Sequence, residues 1–312
     1  MQFNILTKAL ISSASSSNLR CCFIRREQPC TEEEIIMAEA KGQADSRRGY
    51  LEVDGSGAMT ELVFLLELNG PMADLESDLI DGFNDMIARL REERSDILVW
   101  LWKEIAGCID HKKITHCIDH NTRVPITEES ALIEQGCFTR LLTLARQYRR
   151  EHPEDFVEQD SSRGRGGLFD SIGASIHMAR QEYRRTRPED RPVRTMFIIV
   201  TDNTEIETAN QYYWTPDRVR ALVHQQEEEE GWAFILLGAN IDAVKVAGDI
   251  GIPTENAATF ACDAAGVCTN FEALSAMISS FAKGVGIPPT WSAQITEHLK
   301  KVRVVETERG RC

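Results

Sequence analysis

Glu61–Met72 reads ELVFLLELNGPM, and the reading of this stretch decides the fold. Leu62-Val63-Phe64-Leu65-Leu66 is an unbroken apolar run that meets a polar elbow, Glu67-Leu68-Asn69-Gly70-Pro71. Continuous apolarity, as opposed to alternation, marks a strand covered on both faces of a parallel sheet. A buried helix would need a longer run, and Gly70-Pro71 ends this one at once. Asp74, Glu76 and Asp78 then set acids in the first turn of a helix, where the positive end of the dipole favours them. Apolar residues recur with helical period at Leu75, Leu79/Ile80, Phe83, Met86/Ile87 and Leu90. Strand, polar elbow and amphipathic helix put the elbow where open α/β sheets hold their ligand sites.

Working outward, the same alternation recurs. Ile97–Trp102 (ILVWLW), Met196–Asp202 (MFIIVTD) and Trp232–Gly238 (WAFILLG) read as further buried strands. Thr215–Glu230, Ala239–Gly248 and Phe271–Lys283 read as helices, and Ala258–Ala261 as an edge strand. The pattern predicts an α/β fold, a doubly wound and mostly parallel sheet with helices on both faces. Right-handed crossovers bring the ends of the Phe64 and Ile198 strands together at one edge.

Several segments carry a likeness to a known family. They are Leu75-Glu76-Ser77-Asp78 with Gly82-Phe83-Asn84, then GWAFILLGANIDA (Gly231–Ala243), then NFEALS (Asn270–Ser275). In this order, over Thr60–Lys283, they resemble the von Willebrand factor type A domains, and among those the small bacterial type. The resemblance implies a Rossmann-like sheet with one hairpin-linked edge strand. It also implies a non-enzymatic module that grips a protein partner at the elbow edge of the sheet.

The family's metal-ion-dependent adhesion site takes an Asp-x-Ser-x-Ser elbow, a Thr from a second loop and an Asp from a later strand end. Leu168-Phe169-Asp170-Ser171-Ile172-Gly173 matches the helix behind that second loop, which places Gly166 at the Thr position. By position the set becomes Glu67, Asn69, Pro71, Gly166 and Asp202, of which Asp202 alone is kept. Mg²⁺ demands near-octahedral oxygen ligation at about 2.0–2.1 Å, and neither Pro71 nor Gly166 offers a side-chain oxygen. The expectation is a degenerate metal site of Glu67, Asn69 and Asp202 with weak or absent Mg²⁺ binding and no other cofactor. The partner-binding edge is expected at Glu67, Asn69, Gly166 and Asp202. Asp54-Gly55-Ser56-Gly57-Ala58 imitates the motif, yet no amphipathic helix opens directly after it, so it reads as a turn.

Composition bounds the function. A net charge of −14 argues against nucleic acid as partner, since phosphate contacts need a basic face. No apolar run approaches a membrane span. Nine cysteines without a CxxC pair suit reduced thiols inside a cell, and a cytoplasmic location is expected. There is no GxSxG elbow for a serine hydrolase and no glycine fingerprint directly after a strand for a dinucleotide. The runner-up is a phosphate- or nucleotide-binding α/β enzyme that uses the glycine-rich loop Gly164–Gly167 at a helix N-terminus.

Four segments fall outside this core pattern. Residues 1–59 are expected to lie outside the fold. The first 26 are basic, Ser-rich and free of acids, which suits either organelle import or a leader preceding Met37 or Met59 as the start. Residues 128–160 read as a surface helix inserted into the domain, with Phe138, Leu141/Leu142, Leu144/Ala145 and Tyr148 on its apolar face. Residues 284–312 read as a tail with one further helix near Ala293–Val302. Cys108-Ile109-Asp110-His111 recurs as Cys117-Ile118-Asp119-His120. Zinc is the tempting reading, but the spacing matches no closed site, and duplication within a lengthened hairpin is preferred.

Overall fold

A computed structural model describes residues 21–23, 59–68, 70–105, 108–109, 112–113, 117–151, 168–202 and 214–309. The strands are β1 (Cys21–Phe23), β2 (Thr60–Glu67), β3 (Ile97–Ile105), β4 (Cys108–Ile109), β5 (Lys112–Lys113), β6 (Cys117–Pro125), β7 (Arg194–Thr201), β8 (Ala233–Ala239) and β9 (Ala257–Phe260). The helices are α1 (Glu76–Glu93), α2 (Cys137–Glu151), α3 (Leu168–Arg185), α4 (Pro216–Glu230), α5 (Ala243–Asp249), α6 (Ala264–Ala282) and α7 (Ala293–Arg309). Seven strands form one sheet in the order β1-β6-β3-β2-β7-β8-β9, and β4 and β5 make a separate hairpin. From β3 to β9 all pairings are parallel; β6 runs antiparallel to β3, and β1 to β6.

The continuous apolarity of β2 has a simple cause. All eight of its residues are buried, because strand alternation sends them to two different cores. Leu62, Phe64 and Leu66 join Met196, Ile198, Ile235 and Leu237 under α1 and α6. Val63 and Leu65 join Phe197, Ile199, Phe234 and Leu236 under α3, α4 and α5. The expected doubly wound, Rossmann-like sheet is therefore the observed one.

The family-like segments turn out to be packing devices. Gly82 brings α1 against α6, since a Cβ there would lie 2.6 Å from the Phe271 ring. Phe83 then meets Phe64 and Phe271 edge-on, with ring centroids 5.1 and 6.1 Å away. Asn84 clamps the backbone of Ile133 on both sides, donating to its carbonyl and accepting from its N–H, each at 2.8 Å.

Two helices differ from their expected roles. The inserted helix α2 is more than a surface helix, because Cys137, Phe138 and Leu141 are buried in the α1-side core. Its N-terminus has no acid of its own, so Glu76 of α1 supplies one. One Glu76 oxygen accepts from the N–H groups of Phe138 (2.9 Å) and Thr139 (3.1 Å), and the other from the Thr139 hydroxyl. Glu76→Ala is expected to cost about 1 kcal/mol, the value of one helix cap, seen as a lower urea midpoint. Helix α7 lies past the expected end of the domain, yet Trp291 and Ile295 are buried in the same core. The Trp291 indole N–H donates to the Glu255 carbonyl at 2.9 Å, which pins α7 beside β9.

Candidate functional site

Strand order reverses at β2, where the chain builds β3 and β6 to one side and β7 to β9 to the other. In open α/β sheets such a reversal, at the carboxyl ends of the strands, is where ligand sites lie. The two sequence-derived carboxylates that lie in described residues, Glu67 and Asp202, stand here. Asn69 and the loop Gly164–Gly167 fall outside the described residues.

The structure brings Glu67 and Asp202 into a reciprocal arrangement. Glu67 ends β2 with no solvent exposure, and its Oε2 accepts from the hydroxyl of Thr201, the last residue of β7. Asp202 follows β7, and its Oδ2 accepts from the Met72 backbone N–H in the turn after β2, at 3.3 Å. Each strand end thus holds the carboxylate of the other. The second Asp202 oxygen, Oδ1, is buried without a hydrogen-bond partner. Burial pushes the Asp202 carboxyl up to about 6, against the opposing pull of the backbone N–H groups of Met72 and of Asp202 itself.

That shift sets a pH dependence. A proton on Asp202 contributes stability that is fully present below pH 3.8, its ordinary value, and lost as pH rises through about 6. Asp202→Asn keeps an acceptor for Met72 but carries no charge to bury. It is expected to stabilise the fold at pH 8 by about 1–2 kcal/mol, after discounting for partial solvent screening, and to give no gain at pH 4. Thermal melts of both chains across pH 4–8 would show the two curves converging in acid.

One side of this edge was not legible beforehand. Asn240, just past β8, adopts a left-handed φ of 54°, and its side-chain oxygen accepts from the Cys262 N–H at 3.2 Å. Burial raises the Cys262 thiol first, and the carboxylates of Asp202, Asp263 and Asp74 raise it further. Asp263 caps α6 through the Gly266 N–H at 2.6 Å and meets His298 Nε2 of α7 at 3.0 Å. An Asp three residues before a glycine N–H at a helix start is a cap signal that sequence alone could have shown.

Among the described residues no group of three or more His, Cys, Asp and Glu side chains could hold a metal ion. The Glu67 carboxylate faces the Thr201 hydroxyl from a fully buried position. Of the duplicated CIDH segments, Cys108 and Cys117 to His120 lie in strands; His111 and His116 fall outside the described residues.

No protein-family model matches the chain, and no curated protein sequence matches it. Solved structures do align with it. The open form of the pilus adhesin SpaC from Lactobacillus rhamnosus GG is 10% identical with a TM-score of 0.45, covering 71% of this chain and 30% of the adhesin. The vWF domain of the type V pili tip protein Mfa5 from Porphyromonas gingivalis is 8% identical with a TM-score of 0.38, covering 72% and 97%. The SpRpn10 VWA domain is 7% identical with a TM-score of 0.37, covering 68% and 94%. The chain thus spans under a third of the adhesin's length. The sheet itself is doubly wound, with antiparallel β6 paired to β3 outside the parallel set. The fold is Rossmann-like α/β. No described helix is long and apolar enough to cross a membrane.

Proposed function

We propose that the chain is a non-enzymatic binding module that grips a protein partner at the carboxyl edge of the sheet, around Glu67, Asn69, Gly166 and Asp202, without a resident metal. One observation carries this reading. Glu67 Oε2 accepts from Thr201 and Asp202 Oδ2 accepts from Met72, which knits the two strand ends together. Glu67 is fully buried against Thr201 and Pro71 offers no side-chain oxygen, so Asp202 Oδ1, which has no hydrogen-bond partner, falls well short of the near-octahedral oxygen set that Mg²⁺ needs. A protein partner then reads the shape and acidity of the rim.

Two measurements on the full chain test it. Calorimetric titration with Mg²⁺ and Mn²⁺ is expected to show no saturable binding below about 1 mM, the weak end of biological divalent sites. Affinity capture is expected to persist in EDTA and to fall when Asp202→Arg reverses the charge of the rim. Sub-millimolar Mg²⁺ binding that Asp202→Ala abolishes would show a working metal site and overturn the metal-independent reading.

A further inference from the structure

Helices α3 and α4 pack side by side on one face of the sheet and end together at its amino edge. There Arg184 Nη2 lies 3.7 Å from Glu229 Oε2, and the Tyr183 ring meets Trp232 edge-on at 6.1 Å. The two last turns are opposite in sign. Helix α3 ends on Arg184 and Arg185, which complement the negative end of its dipole. Helix α4 ends on Glu227–Glu230, four carboxylates at the negative end of a helix with no base in its last turn. The dipole of α4 disfavours that arrangement.

Contacts within the chain offset this only in part. His224 Nδ1 is 3.8 Å from Glu227, and the Arg184–Glu229 pair joins side chains 53% and 49% exposed, where an ion pair contributes little. Arg185 and Glu228 beside them are exposed as well. Between the two helix ends the chain enters β7 through a braced turn. Arg191 donates to the carbonyls of Thr186 and Arg184, and its guanidinium lies over Tyr183, 5.0 Å from the ring centroid. That turn presents the exposed Val193, four residues before Phe197, whose side chain lies under α3 and α4. Strand alternation sets Val193 on the same side.

We propose that this face binds a second copy of the chain about a two-fold axis through Val193. A basic helix end and an acidic one lie next to each other, so a half-turn sets each against its opposite in the second copy. Arg184 and Arg185 of each copy then meet Glu228 and Glu229 of the other, and the two Val193 side chains meet on the axis. An interface this small and this charged holds with micromolar to millimolar affinity and weakens with salt. It lies at the opposite edge of the sheet from Glu67 and Asp202, so it stands or falls apart from the function proposed above.

Sedimentation equilibrium of the full chain at about 0.05 M and about 0.5 M salt is the test. Two double variants accompany wild type: Arg184→Glu with Arg185→Glu, and Glu228→Lys with Glu229→Lys. All four positions are exposed, so both variants are expected to melt as wild type does. Wild type is expected to dimerise at low salt, and about tenfold or more weakly at high salt. Each variant alone sets like charges face to face and is expected to stay monomeric. An equimolar mixture of the two is expected to recover a dimer, because both contacts of the mixed pair are again opposite in sign. The Asp202→Arg chain is expected to dimerise as wild type does, which keeps this outcome separate from the carboxyl-edge reading. A wild type that stays monomeric at millimolar concentration, a dimer that either double variant leaves intact, or a mixture that stays monomeric would each overturn the proposal.

Discussion

An Arg123→Met chain is expected to unfold more easily than wild type by about 3–5 kcal/mol, the cost of stranding a buried charge. Glu61, at the start of β2, has no solvent exposure and accepts from Arg123 Nε at 2.6 Å. Its other oxygen accepts from the Thr195 hydroxyl at 3.3 Å, and a second Arg123 nitrogen donates to Thr186. Methionine fills the space of the arginine stem but leaves the carboxylate without its cation. The double change Glu61→Gln with Arg123→Met removes both charges and is expected to recover most of the loss. Urea denaturation of the three chains decides the matter. A single variant within about 1 kcal/mol of wild type would mean that Glu61 is solvated, as exposed ion pairs are.

A Phe64→Asp chain is expected not to fold at all. Phe64 is fully buried at the centre of β2, in register with Leu101 and Ile198, and its ring meets Phe83 edge-on at 5.1 Å. Losing the ring alone costs about 3–5 kcal/mol, and an unpaired carboxylate in the cavity adds a desolvation penalty of several more. Together they reach the whole stability of an ordinary domain, about 5–15 kcal/mol. Val193→Asp, at a position 59% exposed just before β7, serves as the control and is expected to stay within about 0.5 kcal/mol of wild type. A soluble, cooperatively melting Phe64→Asp chain would contradict the central place given to β2.

The central strands of the sheet were readable because their signals are local. Both faces of β2, β7 and β8 are covered, so their residues are apolar without a break, and the helices between them repeat with helical period. The motifs that suggested the family were readable for the same reason, though their meaning was not. Gly82, Phe83 and Phe271 join α1 to α6, while Glu76 and Asn84 hold the segment leading into α2. They keep two helices and an insertion in place.

By itself, then, the sequence determined the α/β class, the three central strands and the two carboxylates at the carboxyl edge. Tertiary structure alone decided what those carboxylates do, since Thr201 and Met72 lie 134 and 130 residues from the groups they bond. It also decided that Glu61 and Arg123, 62 residues apart, form a buried pair, and that His298 reaches Asp263 across 35. Helix α7 shows the reason most plainly. It buries little beyond Ile295, with Trp291 just before it, too narrow a stripe to register as periodicity, and its place is set by an indole N–H and one imidazole. Contacts between single side chains distant in sequence leave no repeat to read, and only the folded chain brings their atoms within reach.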